Sequence, residues 1–281
     1  MDWTEASVGY RRFLLTSSRS EGTAKTYVAN LSLFWRWCLR HECLPDDADR
    51  LVIRSYIAER RAKVSSGRAH NDLASLRLFF AWLREERLRD DDPTLDVRVK
   101  RTKSLPTDPI SREEMNALLT GCTDERDRLI VLMLAHTGAR ISELASLTCE
   151  DISWKTGEVR ILGKGDKERR IAPNPDVLKR LRAYLGMFPS GALFLSKVQR
   201  RPLSAHQIRK ILYDIAERAR IDDIHPHRFR SFFATEYVEQ FGDIQALQGV
   251  MGHESIETTA RYSQYTRERR GLNQMRQLKF S

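Results

Sequence analysis

Five short motifs between residues 137 and 262 contain residue types that suit chemistry at a phosphate group. The candidate catalytic residues are Arg140, Lys164, His227, Arg230, His253 and Tyr262. Guanidinium groups can bind phosphate oxygens in a fixed geometry and neutralise the charge that develops on them during displacement at phosphorus. A tyrosine hydroxyl is a potential nucleophile, and imidazole and ammonium groups can move the protons. The set is therefore typical of attack by a tyrosine on a phosphodiester.

Taken singly, each candidate has an ordinary structural alternative. Arg140 precedes Glu143 by three residues, a spacing that also suits a simple ion pair on a helix. Lys164 is compatible with a solvated turn, and Tyr262 with a half-buried packing role. The order and number of the motifs, rather than any one residue, favour a catalytic site.

The motifs occur in a fixed succession along the chain. They are Thr137-Gly-Ala-Arg140-Ile-Ser-Glu143-Leu144, Gly163-Lys164-Gly165-Asp166-Lys167-Glu168-Arg169, Pro226-His227-Arg-Phe-Arg230-Ser-Phe-Phe-Ala-Thr235, Met251-Gly252-His253 and Tyr262. This succession, within residues 110–265, resembles the tyrosine recombinase (phage integrase) family, especially its compact Xer-type members. The helical first part resembles, less specifically, the core-binding domain of that family. The resemblance implies a site-specific DNA recombinase.

The resemblance implies a role for each candidate. Arg140 and Arg230 would hold the phosphate, and Tyr262 would attack it to form a 3′-phosphotyrosine with a free 5′ hydroxyl. Lys164 would protonate the departing 5′ oxygen. Because the ester bond is conserved rather than hydrolysed, the reaction is expected to need no ATP and no metal ion.

The two histidines divide the remaining roles. A phenol loses its proton near pH 10, so either His227 or His253 could help by accepting that proton or aiming the oxygen. The resemblance favours His227 as the base and His253 as a group that orients the phosphate. Ser231 and Ser263-Gln264 depart from residues common among relatives, which leaves the subgroup open.

The charge of the chain is compatible with a nucleic-acid partner. The formal net charge is +10, and residues 99–281 hold 31 Lys and Arg against 23 Asp and Glu, whereas residues 1–98 hold 17 against 15. Such a field attracts phosphates, although a solvated arginine-rich surface has the same composition. The resemblance implies double-stranded DNA as partner, with four subunits on two sites, either identical or mixed with a related recombinase. Lys25, Arg68 and Asn71 begin two amphipathic helices and are candidate DNA contacts.

Hydrophobic periodicity predicts a mainly α fold with a small β-sheet (α+β). Apolar residues recur every three or four positions in segments 24–39, 51–63 and 71–83, which indicates a bundle of about four helices in residues 1–98. Residues 99–109 are basic and contain two prolines, which favours a linker. Residues 110–281 are then the catalytic domain with a C-terminal tail, and the resemblance implies a DNA clamp made by the two domains.

Within residues 110–281 the pattern changes twice. Helices are predicted from Ser111, over 123–136 and 142–147, and again from Pro175, Ser204 and His227, with a break near Gly252. Segments 158–162 and 168–172 alternate as two strands of a hairpin whose basic tip contains Lys164. The partly apolar segment 271–281 is too short to bury its own apolar side chains, so it is expected to dock on a neighbouring protomer.

Other classes of protein fit the sequence less well. The apolar runs are too short to span a bilayer and the amino terminus is unlike a signal peptide, which favours a cytoplasmic protein without membrane contact. The four cysteines favour buried, reduced thiols, and Cys38, His41 and Cys43 lack the spacing of a zinc site. A type IB topoisomerase and a catalytically silent DNA-binding regulator are the rival functions. Retention of all six candidates argues against the second.

Overall fold

A computed structural model of the chain divides into two compact units, Met1–Ser104 and Leu105–Ser281. It describes all residues except 101–107, 164–166, 188, 253–255 and 279–281, and the side chains of 256–258 and 273 are likewise outside the description. Lys164, His253 and most of the predicted linker therefore lie outside the described residues. The expected mainly α architecture with a small β-sheet is confirmed.

Four helices form the first unit. They are α1 (Trp3–Thr16), α2 (Glu21–Arg40), α3 (Arg50–Lys63) and α4 (Ser66–Glu85). A polar side chain precedes each helix and accepts a hydrogen bond from a backbone N–H of the first turn; these caps are Asp2, Ser20, Asp49 and Ser65. The core is rich in aromatic rings, such as Phe34 and Tyr56, whose centroids lie 5.0 Å apart in an edge-to-face arrangement.

The described part of the second unit contains eight α-helices, a single 3₁₀ turn and three strands. The helices are α5 (Arg112–Gly121), α6 (Glu125–Thr137), α7 (Ile141–Ser146), α8 (Pro175–Leu185), α9 (Ala205–Ala219), α10 (Pro226–Phe241), α11 (Ile244–Met251) and α12 (Ile256–Gln277). The capping box predicted at Ser111 is present, since its hydroxyl accepts from the Glu114 N–H and Glu114 accepts from the Ser111 N–H. Local capping thus explains where α5 begins.

The sheet is antiparallel with the order β1-β2-β3, where β1 is Ile152–Ser153, β2 is Glu158–Leu162 and β3 is Glu168–Ile171. In the register of β2 and β3, Val159 pairs with Ile171 and Ile161 pairs with Arg169. The predicted hairpin is therefore correct. The two-residue strand β1 was not predicted, because a strand so short has no periodicity to detect.

Glycines in the left-handed region end three helices of the second unit. Gly138 (φ 58°) follows α6, Gly242 (φ 69°) follows α10 and Gly252 (φ 62°) follows α11. A Cβ at position 138 would lie 2.5 Å from Cδ1 of Phe233, so this site also excludes a side chain by contact. The segment after His227 thus breaks at Gly242 as well as at the predicted Gly252.

All four cysteines lie among the described residues and are free thiols. Cys38, Cys122 and Cys149 are buried as expected, whereas Cys43 is partly exposed in the turn after α2. The ring of His41 stacks on Trp37 with centroids 4.1 Å apart. Within the described ranges, no helix combines the length and the apolar character needed to cross a membrane.

Candidate active site

Among the four candidates that the structure describes, Arg230, near the start of α10, is the most deeply buried. Its side chain donates from Nη1 to the carbonyl oxygen of Gly138 at 2.5 Å and from Nη2 to that of Met251 at 2.6 Å. The residue is only 4% exposed. Burial, followed by the charges of Arg140 and Arg169, lowers the pKa of Arg230 to about 10. The guanidinium therefore remains charged near neutral pH.

The two carbonyls that hold Arg230 belong to helix ends. Gly138 caps the carboxyl end of α6, and Met251 is the last residue of α11. The carbonyls at a helix carboxyl end carry partial negative charge, which favours a nearby cation. The left-handed glycines that end α6 and α11 therefore help to stabilise a buried guanidinium.

Arg140 occupies the N-cap position of α7 and is more accessible than Arg230, with 39% of its side chain exposed. Its Nη1 donates to Oε1 of Glu143 at 2.8 Å, and its backbone N–H donates to Oε2 of the same residue at 2.7 Å. The same carboxylate therefore fixes both the backbone and the side chain of Arg140.

A residue that the sequence analysis did not single out, Arg169, binds the same carboxylate. Arg169 on β3 donates to Oε1 and Oε2 of Glu143 at 3.1 and 2.7 Å, and from Nε to the carbonyl of Val250 at 2.9 Å. It pairs in register with the buried Ile161, so it belongs to the inward face of the hairpin. An arginine at an inward position of a predicted strand was the signal that could have found it.

Glu143 is buried among these cations and is ionised. Burial alone would raise its pKa, but hydrogen bonds from Arg169 and Arg140 outweigh that effect and lower the pKa to about 2. The carboxylate is thus a fixed negative charge at neutral pH. It joins α7, which carries Arg140, to the hairpin.

The glycines that flank the two undescribed candidates adjoin Arg169. A Cβ at Gly163, which precedes Lys164, would lie 3.6 Å from Nη1 of Arg169. A Cβ at Gly252, which precedes His253, would lie 3.2 Å from Cδ of Arg169. Arg169 therefore adjoins the residue before Lys164 and the residue before His253.

His227 lies in the first turn of α10, at the surface. Partial loss of hydration, and then the positive charges of His225, Arg230 and Arg140, lower its pKa from the ordinary value for histidine. The imidazole is therefore largely neutral at pH 7 and can accept a proton. Its ring centroid lies 6.4 Å from that of His225.

Tyr262 lies on α12, where it is half-buried against the small apolar cluster that contains Ala234, Leu247 and Met251. A negative charge on its oxygen acts to raise the pKa of Arg230, against the lowering effect of burial. Arg140, His227, Arg230 and Tyr262 therefore share one electrostatic environment. These are four of the six candidates; Lys164 and His253 are outside the described residues.

Comparison with known proteins identifies the family. Residues 109–269, more than half of the chain, match the model of the phage integrase family, and residues 8–87 match the phage integrase N-terminal SAM-like domain. The chain belongs to the phage integrase family. It is 36% identical to tyrosine recombinase XerD of Halalkalibacterium halodurans over 74% of this chain and 73% of that protein. It is 31% identical to tyrosine recombinase XerC of Chromobacterium violaceum over 90% and 88% of the two chains.

Solved structures of tyrosine recombinases share the fold. The integrase of transposon Tn1549 in complex with transposon right end DNA covers 92% of this chain and 94% of its own, with a TM-score of 0.74 and 18% identity. A lambda integrase dimer bound to a core site has a TM-score of 0.74 and 16% identity, covering 92% of this chain and 76% of its own. These likenesses extend the family assignment to the three-dimensional architecture.

The candidate DNA contacts of this phage integrase family member lie at the starts of α2 and α4. Lys25, Arg68 and Asn71 are all exposed. Arg68 is also engaged within the unit, since Nη2 donates to Oδ1 of Asn30 at 3.1 Å and Nε lies 3.5 Å from Oδ1 of Asp72. The sequence analysis missed the buried Asp72, which α4 places one turn after Arg68 on the same helix face.

Proposed function

We propose that the protein is a site-specific DNA recombinase in which Tyr262 is the nucleophile. The observation that carries the proposal is the buried guanidinium of Arg230, fixed by two helix-end carbonyls and coupled to Arg140, His227 and Tyr262. Membership of the phage integrase family supports the same assignment. Positive charge concentrated in this way stabilises the negative charge that develops on phosphate oxygens during displacement at phosphorus.

In the proposed first step, the hydroxyl oxygen of Tyr262 attacks phosphorus and displaces the 5′ oxygen of one strand. His227 accepts the phenolic proton, and its lowered pKa keeps the imidazole in the neutral form that is available for this step. Arg140 and Arg230 stabilise the five-coordinate phosphorus, and Lys164 gives a proton to the leaving oxygen while His253 orients the phosphate. The products are a 3′-phosphotyrosine and a free 5′ hydroxyl.

In the proposed second step, the 5′ hydroxyl of another duplex attacks the phosphotyrosine and restores the phosphodiester. The energy of the original bond is kept in the tyrosyl ester, so religation is proposed to proceed without ATP or a metal ion. Repetition of the two steps on the second strand exchanges the duplexes. The protein returns to its starting state because Tyr262 regains its proton.

DNA is proposed to be held from two sides. Residues 1–98 would form a helical clamp with Lys25, Arg68 and Asn71 at the duplex, residues 99–109 the linker, and residues 110–281 the catalytic domain. Phosphate contacts would supply most of the affinity. Two of the tyrosine recombinase structures that share the fold are complexes with DNA, which supports this partner. A cytoplasmic location is proposed with the same function.

Assembly into a tetramer on two sites, with identical or related subunits, is part of the proposal. The last part of α12 exposes Leu272 and Met275, and Leu278 follows it, also exposed. An apolar stripe at the end of the chain suits docking on a neighbouring protomer. Deletion of residues 271–281 should weaken synapsis on DNA in gels or light scattering, and unchanged synapsis would contradict this role.

The test of the chemistry is covalent capture. A duplex with a nick near the cleavage site loses the leaving fragment, so the protein–DNA adduct accumulates and is detected in a denaturing gel. Tyr262→Phe should abolish the adduct and keep duplex binding, while Tyr213→Phe, an exposed tyrosine on α9, should behave as the wild type. An adduct that survives Tyr262→Phe would refute the nucleophile.

The same preparation separates the rival functions. Exchange between two labelled sites supports a recombinase. Relaxation of a supercoiled plasmid without exchange would instead indicate a type IB topoisomerase, and duplex binding without any adduct would indicate a silent regulator. Mapping the DNA bound by the Tyr262→Phe protein then identifies the target site.

A further inference from the structure

The guanidinium of Arg169 joins three elements of the second unit. From β3 it donates to the two carboxylate oxygens of Glu143 on α7 at 3.1 and 2.7 Å, and to the carbonyl oxygen of Val250 on α11 at 2.9 Å. Only 8% of the Arg169 side chain and 5% of the Glu143 side chain are exposed. Because a guanidinium is planar and its N–H groups point in fixed directions, these bonds fix α7 and the end of α11 relative to β3.

The carboxyl end of α11 is shared by two arginines. Its last carbonyls have no acceptor role within the helix, as at any helix carboxyl end. The carbonyl of Val250 accepts from Arg169, and the next carbonyl, that of Met251, accepts from Nη2 of Arg230 at 2.6 Å. The two carbonyls belong to consecutive residues of a helix, so a shift of one moves the other. Arg169 therefore acts on Arg230 through a short piece of backbone.

The same side chain acts on Arg140 through Glu143. Oε1 of Glu143 accepts from Nη1 of Arg140 at 2.8 Å and from Nη1 of Arg169 at 3.1 Å, and Oε2 accepts from the backbone N–H of Arg140 and from Nη2 of Arg169. A carboxylate held by one guanidinium presents its remaining lone pairs in fixed directions. Since 39% of the Arg140 side chain is exposed, this carboxylate is a main constraint on where Arg140 points.

We propose that Arg169 is a positioning residue that aligns the two phosphate-binding guanidiniums, Arg140 and Arg230, for strand cleavage. This inference rests on the proposed function. Two donors stabilise developing charge only when both are in place before the reaction, and a displacement of about 1 Å can cost about a hundredfold in rate. The role assigned to Arg169 requires no contact with the phosphate, because it acts through Glu143 and the end of α11.

The next residue of β3 provides a matched control. Arg170 is 70% exposed, and its Nη1 lies 3.2 Å from Oε2 of Glu158 on β2. It lies on the opposite face of the strand because consecutive residues alternate in direction. The exchange of arginine for lysine can therefore be made at both positions. At 169 it removes the fork that holds three acceptors, whereas at 170 it keeps a cation beside an exposed carboxylate.

The test compares two substrates in single-turnover cleavage of a nicked suicide duplex by saturating protein. One has the natural phosphodiester, and the other has a methylphosphonate, in which a methyl group replaces a non-bridging oxygen, so less negative charge has to be stabilised. On the phosphodiester, Arg169→Lys should be about thirtyfold slower than the wild type and Arg170→Lys within about twofold of it. On the methylphosphonate, Arg169→Lys should come within about threefold of the wild type, because misplaced guanidiniums matter less there.

Each outcome bears on the inference separately from the proposed function. Absence of an adduct with the wild-type protein would defeat the proposed function. With an active wild type, an unchanged phosphodiester rate for Arg169→Lys would overturn the positioning role alone. Equal slowing of Arg169→Lys on the two substrates would overturn it too, because general damage to the fold slows both.

A third duplex distinguishes the phosphate from the leaving group. A sulfur atom in place of the 5′ bridging oxygen leaves as a thiolate and needs no proton, so it bypasses the general acid. Rescue of Arg169→Lys by this duplex but not by the methylphosphonate would locate the defect at the leaving oxygen and overturn the proposal. Slow cleavage of the sulfur duplex together with rescue by the methylphosphonate would support it.

A second comparison keeps the test decisive if Arg169→Lys fails to fold. The double variant Arg169→Met with Glu143→Gln removes both buried charges together, which costs less stability than removing one partner of the pair. On the phosphodiester it should be about fivefold slower than Glu143→Gln alone, because the contact with Val250 is also lost. On the methylphosphonate the two proteins should cleave equally. Equal rates on the phosphodiester, or the same slowing on both substrates, would contradict the positioning role.

Discussion

Each unit of the protein contains a buried carboxylate, Asp72 or Glu143, that contacts two arginines of different exposure, and the more exposed arginine is held differently in the two units. In the first unit, Asp72 is fully buried and accepts from Nε of Arg60 at 2.7 Å. Arg68 is 47% exposed, and its Nε lies 3.5 Å from Oδ1 of Asp72. That oxygen is buried and has no hydrogen-bond partner. One carboxylate oxygen of this cluster therefore accepts no hydrogen bond.

In the second unit, both oxygens of Glu143 are fully engaged. Arg169 donates to each of them, and Arg140 adds a side-chain and a backbone donor at 2.8 and 2.7 Å. A catalytic arginine gains from being fixed before the reaction, because no reorganisation is then needed as charge develops. An arginine that binds a phosphate backbone gains from freedom to adjust. On this basis we propose that the Glu143 cluster serves chemistry and the Asp72 cluster serves DNA binding.

The sharpest way to break this comparison is Glu143→Gln. The substitution keeps the shape but leaves Arg140 and Arg169 without their shared charge partner, so single-turnover cleavage should fall by about two to three orders of magnitude. The control is Glu236→Gln, which alters the bidentate ion pair between Glu236 and Arg112 in the same unit. Cleavage that is equal in the two variants would show that Glu143 does not position Arg140.

Low pH should weaken the ion pairs of Glu143 over a defined pH range. The folded pKa of Glu143, about 2, lies below the ordinary value of 4.5, so the unfolded chain takes up a proton at a higher pH than the native chain. The stabilisation is complete above about pH 4.5 and is lost as the pH falls towards 2; it amounts to at most about 3 kcal/mol. Urea unfolding should show the wild type and Glu143→Gln converging over this range. A constant difference would contradict an ionised, buried Glu143.

Asp72→Asn should affect stability and leave chemistry unchanged. Loss of the charge partner of Arg60 should lower the free energy of unfolding by about 2 kcal/mol. Cleavage by the DNA-saturated protein should change by less than about twofold, because the cluster lies in the other unit. Glu21→Gln, which alters the exposed pair with Arg11, is the control and should cost less than about 0.5 kcal/mol. A large drop in cleavage would remove the distinction between the clusters.

The smallest effect is expected from Arg68→Ala. If Arg68 turns from Asp72 to a phosphate, its loss should weaken DNA binding about fivefold and reduce the slope of log affinity against log salt by about one. Fluorescence anisotropy at several salt concentrations measures both quantities. Arg11→Ala, an exposed arginine of the same unit, should leave the slope unchanged. Equal slopes for wild type and Arg68→Ala would mean that Arg68 is structural only.

Much of the architecture could be predicted because it rests on interactions within a few residues. Ser111 and Glu114 cap each other across three positions, and the alternation of β2 and β3 is visible within the short segment from Glu158 to Ile171. The candidate set, from Arg140 to Tyr262, was likewise found from motifs. The catalytic roles of all six candidates stay predictions, and Lys164 and His253 lie outside the described residues.

Contacts between residues that are far apart in the chain could not be predicted from the sequence pattern. Arg230 meets Gly138 across 92 positions, Arg169 meets Val250 across 81, and Arg228 meets Asp108 across 120. The inward strand position of Arg169 could have indicated its burial, but not its partners, and nothing in the residues next to Arg228 distinguishes it from a solvated arginine. The amino-acid sequence by itself determined the helices, the hairpin and the chemical groups available. Only the tertiary structure decided which guanidiniums are buried and what they hold, because burial and hydrogen-bond partners are set by packing between elements remote in the chain.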